Sequence, residues 1–165
     1  TGARPGVDDY PSQLSGLLEV PVVNAGVPGE TIEQAAARAE AEVMPLRPGV
    51  VIVLLGGNDV LQRLELEASF VRLAALVRRL QEGGSMVVLA GLDGVLPGSG
   101  LNARYRRVAR EAGCVWVPDI LEGVMGRPSL MSDAVHPNAQ GYARVAERVA
   151  KALEPYTPLQ VSAQE

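Results

Sequence analysis

The sequence predicts an α/β protein, a three-layer α/β/α domain built on a parallel sheet. Three observations carry this. Residues 50–55 (V-V-I-V-L-L) form an apolar run in which four of six residues are β-branched, without apolar/polar alternation. Such a run favours a strand buried on both faces, as in a parallel sheet covered by helices. Three further short runs, 21–25, 86–92 and 114–118, are β-branched and bounded by Gly or Pro. The longer segments between them carry helical spacing, and strands alternating with helices imply a parallel sheet with crossover connections.

The bulk properties set the class. A chain of 165 residues is most simply one domain, residues 1–165, large enough for a proper core. Hydrophobic residues are 47% and charged residues 21%, ordinary for a globular protein. No apolar run approaches the roughly 18–20 residues that span a bilayer, so stable membrane insertion is not expected. The formal net charge of −4 argues against nucleic acid as the main partner. The single cysteine, Cys114, excludes an internal disulfide and any multi-cysteine metal site. It falls in a predicted strand, where a buried, inert thiol is expected.

In chain order, Asp9 is placed to cap a helix through Leu18 that buries Tyr10, Leu14, Leu17 and Leu18. Strand 21–25 follows, then a turn through Gly29. Thr31 and Gln34 have capping-box spacing and open a helix to about Met44, with Ile32, Ala35, Ala36, Ala39 and Val43 inward. The central strand, 50–55, ends at Gly56-Gly57, where the backbone can turn sharply. Leu66, Phe70, Leu73, Val77 and Leu80 recur at spacings of four and three, marking a helix that stops at Gly83-Gly84. Strand 86–92 leads into a Gly/Pro-rich loop, 93–100. The next helix presents Leu101, Tyr105, Val108, Ala109 and Ala112 and stops at Gly113. Strand 114–118 leads into a long connection, 119–137, whose length marks it as functional. Asn138 can cap a last helix with Tyr142, Val145, Ala146, Val149 and Leu153 inward. Residues 157–165 read as a frayed tail.

The chemistry-bearing residues gather after strands, where open α/β sheets bind ligands. The one histidine, His136, comes three residues after Asp133 in a loop. A turn there can bring the carboxylate to the imidazole, fixing its tautomer and stabilising the imidazolium formed when it takes a proton. Pro137 and the helix after it restrict the backbone of His136. Asn58 offers an uncharged amide donor of the kind that stabilises an oxyanion, or, with Asp59, simply caps the turn. Gly29 precedes a helix, so its N–H can serve as a second donor, or the glycine is there only for a positive φ.

Three blocks in this order resemble the SGNH hydrolases, also called GDSL-type esterases and lipases. They are Asn24-Ala25-Gly26-Val27-Pro28-Gly29-Glu30-Thr31, then Gly56-Gly57-Asn58-Asp59, then Asp133-Ala134-Val135-His136-Pro137-Asn138. The likeness is to the small, single-domain thioesterase/arylesterase/lysophospholipase branch. It implies a flavodoxin-like sheet of order 2-1-3-4-5, with Gly29 and Asn58 as oxyanion donors, His136 as general base and Asp133 as its partner. It implies a serine ester hydrolase acting on small acyl esters or thioesters, with no cofactor and no metal.

The family's first block, a strand and then Gly-Asp-Ser-(Leu), carries the nucleophile and does not occur in these residues. Thr1-Gly2 resembles the segment immediately after that block. The expectation is therefore that the native chain continues upstream. Its missing strand would lie between residues 21–25 and 50–55 and bear the serine. Ser132 adjoins Asp133 but lacks the family context for a nucleophile. Val95, Leu96, Val124, Met125, Leu130 and Met131 are candidate walls of an acyl groove, or pack into the core. Two alternatives remain within the same likeness: a carbohydrate O-acetylesterase, and a degenerate hydrolase acting as a binding module. A flavodoxin-like cofactor or signalling domain would need a phosphate-binding loop after the first strand and leaves the Asp133/His136 pair unexplained.

Overall fold

The computed structural model describes residues 4, 6–92 and 98–156. Its described sheet has three parallel strands in the order β1-β2-β3: β1 (Val50–Val53), β2 (Met86–Ala90) and β3 (Val115–Val117). Val50 pairs with Met86 and Val53 with Leu89, while Val88 pairs with Val115 and Ala90 with Val117. Among the described residues, six α-helices surround it: α1 (Tyr10–Leu18), α2 (Ile32–Glu42), α3 (Gly57–Leu61), α4 (Leu66–Glu82), α5 (Leu101–Ala112) and α6 (Ala139–Leu153).

Strand side chains alternate between faces, and the core divides accordingly. Val51 and Val53 of β1, Val87 and Leu89 of β2 and Trp116 of β3 join α2, α4 and α5 on one face. Ile52, Val88, Ala90, Val115 and Val117 join α1 and α6 on the other. The predicted inward stripe of α4 is confirmed, with Phe70, Leu73, Val77 and Leu80 all buried. Each such side chain stabilises the fold by about 1.5–3 kcal/mol relative to exposure. Tyr105 of α5 sits edge-on to Phe70, ring centroids 4.9 Å apart, and its hydroxyl donates to the carbonyl of Leu55 where β1 ends.

The caps form as expected. Asp9 accepts from the Ser12 N–H at 3.0 Å, and Asn138 from the N–H groups of Gln140 and Gly141. Thr31 and Gln34 make the reciprocal capping box. Leu17, expected inward, is instead exposed, because α1 presents only a narrow stripe centred on Leu14 to α6.

Two strand expectations are corrected. Residues 21–25 form no strand and make no sheet ladder. Val22 packs into the core on the α1/α6 face, but Val23 is 67% exposed. A β-ladder needs a neighbour, and these residues have none among the described strands. Among the described strands the run 50–55 lies at an edge, where β1 pairs only with β2 and Val50 is 40% exposed. The strand buried on both faces is β2, where Val87, Val88, Leu89 and Ala90 are all but inaccessible. Both β1 and β2 also end earlier than expected, at Val53 and Ala90.

The loop expected at 93–100 lies partly, and the tail 157–165 wholly, outside the described residues. Among the described residues, no helix is long and apolar enough to cross a membrane.

Candidate active site

All three strands run the same way, so their carboxyl ends share one rim. The predicted site residues enter from segments that come after those ends or precede α2.

The loop before α6 is tied down at several points. The Ser132 N–H donates to the His136 carbonyl at 2.8 Å, and the Asn138 N–H to that of Leu130 at 2.9 Å. The Asn138 side-chain amide donates to the Ser129 carbonyl at 2.9 Å. Within this frame Asp133 makes an Asx turn: Oδ1 accepts the N–H groups of Val135 at 2.9 Å and His136 at 2.8 Å. The same carboxylate meets the imidazole, with His136 Nδ1 2.8 Å from Oδ2 and 3.0 Å from Oδ1. A carboxylate can only accept here, so Nδ1 carries the proton and Nε2 keeps its lone pair for a substrate or nucleophile. The Val135 N–H, then the His136 ring and N–H, hold the Asp133 carboxyl down at about 2. Both side chains are about half exposed, as a pair open to a reactant must be.

Asn58 stands in the first turn of α3, at the end of β1. Gly56 makes that turn with φ +107°, and a Cβ there would lie 2.8 Å from the Tyr105 hydroxyl. The Asn58 amide donates one hydrogen bond to the Glu30 carbonyl at 3.0 Å. This fixes the plane of the amide and leaves its second N–H to donate elsewhere. Gly29 adopts φ +81°, and its carbonyl accepts from the Gln62 side chain at 3.4 Å. The structure therefore brings Asn58 and the Gly29 turn together, as it does Asp133 and His136.

Sequence reasoning missed what holds the Gly29 turn. Arg38, on α2, donates through Nε and Nη2 to both Glu30 carboxylate oxygens, at 2.9 and 2.8 Å, and from Nη2 to the Ala25 carbonyl at 2.8 Å. Glu30, beside Gly29, is held below the usual carboxylate range by that guanidinium. The available signal was the spacing of eight residues from Glu30 to Arg38, about two helical turns. Asp59 is buried, and its Oδ2 accepts the Ile32 N–H at 3.0 Å, so it caps α2 across space rather than its own turn.

The proposed acyl walls divide. Val95 and Leu96 lie outside the described residues. Val124 is fully buried, whereas Met125, Leu130 and Met131 stay partly exposed. Cys114 is half-buried, and burial raises its thiol above the usual range. Among the described residues, no three His, Cys, Asp or Glu side chains gather as metal ligands.

Residues 1–144 match the model of the GDSL-like lipase/acylhydrolase family. The chain belongs to that family. Its sequence is 31% identical over 141 residues to esterase TesA of Pseudomonas aeruginosa, covering 81% of this chain and 70% of that protein. It is 29% identical over 142 residues to thioesterase 1/protease 1/lysophospholipase L1 of Escherichia coli K12, covering 81% and 67%. A crystal structure of TesA superposes with a TM-score of 0.84 at 29% identity, covering 91% of this chain and 89% of that one. The α/β fold is thus that of the GDSL hydrolases, and membership of the family carries the reaction class, hydrolysis of carboxylic esters.

Proposed function

We propose that this GDSL-family ester hydrolase works through a serine nucleophile, His136 as general base, Asp133 as the partner of the imidazole, and Asn58 with Gly29 as oxyanion donors. The observation that carries the reading is the Asp133–His136 pair, 2.8 Å apart on a tied loop between β3 and α6. His136 Nε2 takes the serine proton as the hydroxyl attacks the acyl carbonyl. The Asn58 amide and the Gly29 N–H stabilise the tetrahedral oxyanion. The imidazolium then protonates the leaving alcohol or thiol, and water releases the acid by the same route.

The serine is proposed to sit on a strand lodged between residues 21–25 and the open edge of β1. Among the described residues one edge of β1 is unpaired and segment 21–25 makes no ladder, and a strand between them would pair with β1 and cover that edge. The substrates proposed are short-to-medium acyl esters, aryl esters or thioesters, with Met125, Leu130 and Met131 lining the acyl side.

The test treats the full-length protein with a fluorophosphonate and maps the modified residue by mass spectrometry. A serine upstream of Thr1 is expected to react, and His136→Ala to abolish labelling. Turnover of p-nitrophenyl esters with labelling at Ser132 would overturn the assignment. Tight ester binding with neither turnover nor labelling would establish a binding module instead. A p-nitrophenyl chain-length series run beside acetylated sugars separates acyl esterase from carbohydrate O-acetylesterase.

A further inference from the structure

We infer that Asp59 is a positioning residue that sets the oxyanion donors by locking α3 against the start of α2. This rests on the proposed roles of Asn58 and Gly29. Asp59 is 1% exposed, and its Oδ2 accepts the Ile32 N–H at 3.0 Å. Its Oδ1 is also buried and has no hydrogen-bond partner. A buried carboxylate that uses one oxygen carries a desolvation cost. The capping box covers the Thr31 and Gln34 N–H groups and leaves that of Ile32 to Asp59, so the cap of α2 is completed by a side chain from another segment.

The same bond joins two segments that the site needs in fixed relation. Asn58 reaches the Glu30 carbonyl at 3.0 Å, and Gln62 the Gly29 carbonyl at 3.4 Å. Three side chains of one short stretch, 58, 59 and 62, thus all bond to residues 29–32, and only that of Asp59 is shielded from water. The shielded one resists exchange with solvent and so sets the rotation of α3. Asn58 is its neighbour in sequence, and one of its N–H groups is already committed to Glu30. A small rotation of α3 would therefore swing the remaining N–H off the oxyanion. The negative charge at the amino end of α2 also opposes the helix dipole favourably.

The experiment measures kcat and KM on p-nitrophenyl butyrate, with the Tm of each variant, for Asn58→Ala, Asp59→Ala, Asp59→Asn and the Asn58→Ala/Asp59→Ala pair in the full-length protein. Asp59→Ala is expected to lower kcat by about 10–100-fold, as a misplaced group does, with KM within about twofold. Asp59→Asn keeps an oxygen for the Ile32 N–H and is expected to retain kcat within about threefold. In the Asn58→Ala background, removal of Asp59 should cost less than about a further threefold, because the group it sets is gone. If Asp59→Ala does not fold, Asp59→Ser takes its place. A folded variant with wild-type kcat overturns the proposal, as does an Asp59 loss that multiplies in full on Asn58→Ala. A full rate in Asn58→Ala alone defeats the oxyanion reading itself, and is scored separately.

Discussion

His136 Nδ1 lies 2.8 Å from Asp133 Oδ2, three residues back in the same loop, and the carboxylate also accepts two backbone N–H groups from that loop. One side chain therefore both builds the turn and orients the imidazole. In Asp133→Asn the amide presents a neutral acceptor or a donor to Nδ1, and the imidazolium loses its counter-charge. The expected result is a fall in kcat of about 10²–10⁴-fold on p-nitrophenyl esters. The double variant with His136→Ala should be no worse than His136→Ala alone. Full additivity of the two losses would show that they do not act as a unit.

The depressed carboxyl of Asp133 gives a second measurement. Its folded value, about 2, lies below the ordinary 3.8. The turn it builds is thus at full strength above 3.8 and is lost as pH falls from there through about 2. Backbone amide shifts of Val135 and His136, tracked by NMR, should titrate with a midpoint near 2. A midpoint near 3.8 would mean that the turn does not hold the carboxylate. The rate itself should fall in acid, because a general base must be neutral to accept a proton.

Asn58 holds Glu30 with one N–H and has one left. Asn58→Ala removes the proposed oxyanion donor while leaving His136 and Asp133 in place. The expected loss is about 10²–10³-fold in kcat with KM little changed, the pattern of an interaction made in the transition state. An unchanged kcat would remove Asn58 from the mechanism.

Much of this was legible because it is local. Helix stripes, caps and the Asp133/His136 turn arise from residues within a few positions of one another, and periodicity or spacing reads such relations directly. Residues 21–25 misled for a physical reason: Val22 and Val23 have strand-forming side chains, but a ladder also requires a partner edge, which no local pattern reports. The run 50–55 reads too long for a related reason. Its apolar pattern continues to Leu55, yet Leu54 and Leu55 leave the ladder as the chain turns at Gly56. The clamps on the Gly29 turn were illegible for the same cause. Asp59 to Ile32 and Asn58 to Glu30 are bonds across 27 and 28 residues, set by packing rather than by spacing.

Arg38 binds both oxygens of Glu30 and the Ala25 carbonyl from a mostly buried position, its side chain 21% exposed. Arg38→Ala is expected to cost about 1–2 kcal/mol, the range for charged hydrogen bonds discounted for partial exposure. Glu30 is held below its ordinary 4.5 by Arg38, so this stabilisation is present above 4.5 and fades as pH falls below it. Urea unfolding of both forms at pH 7 and pH 3 checks this. The two curves should differ at pH 7 and converge toward pH 3. A gap that is the same at both would assign the Arg38 effect to packing of its stem.

Gly56 links stability to the site most directly. Its φ of +107° is one that L side chains rarely adopt, and an added Cβ would stand 2.8 Å from the Tyr105 hydroxyl and 3.5 Å from Ile32 Cδ1. Tyr105 is wholly buried and donates to the Leu55 carbonyl, so it has little room to retreat. Gly56→Ala therefore strains the backbone and pushes the Tyr105 hydroxyl off Leu55, at a cost of about 1–3 kcal/mol for the backbone alone. Because Gly56 also opens α3, the shift carries Asn58 with it, and kcat should fall along with Tm. Gly56→Ala/Tyr105→Phe relieves the clash with the hydroxyl but not the φ strain. It should recover part of the Tm, measured by thermal unfolding, while kcat stays low. Full recovery of both would place the whole effect in the steric contact and none in the turn.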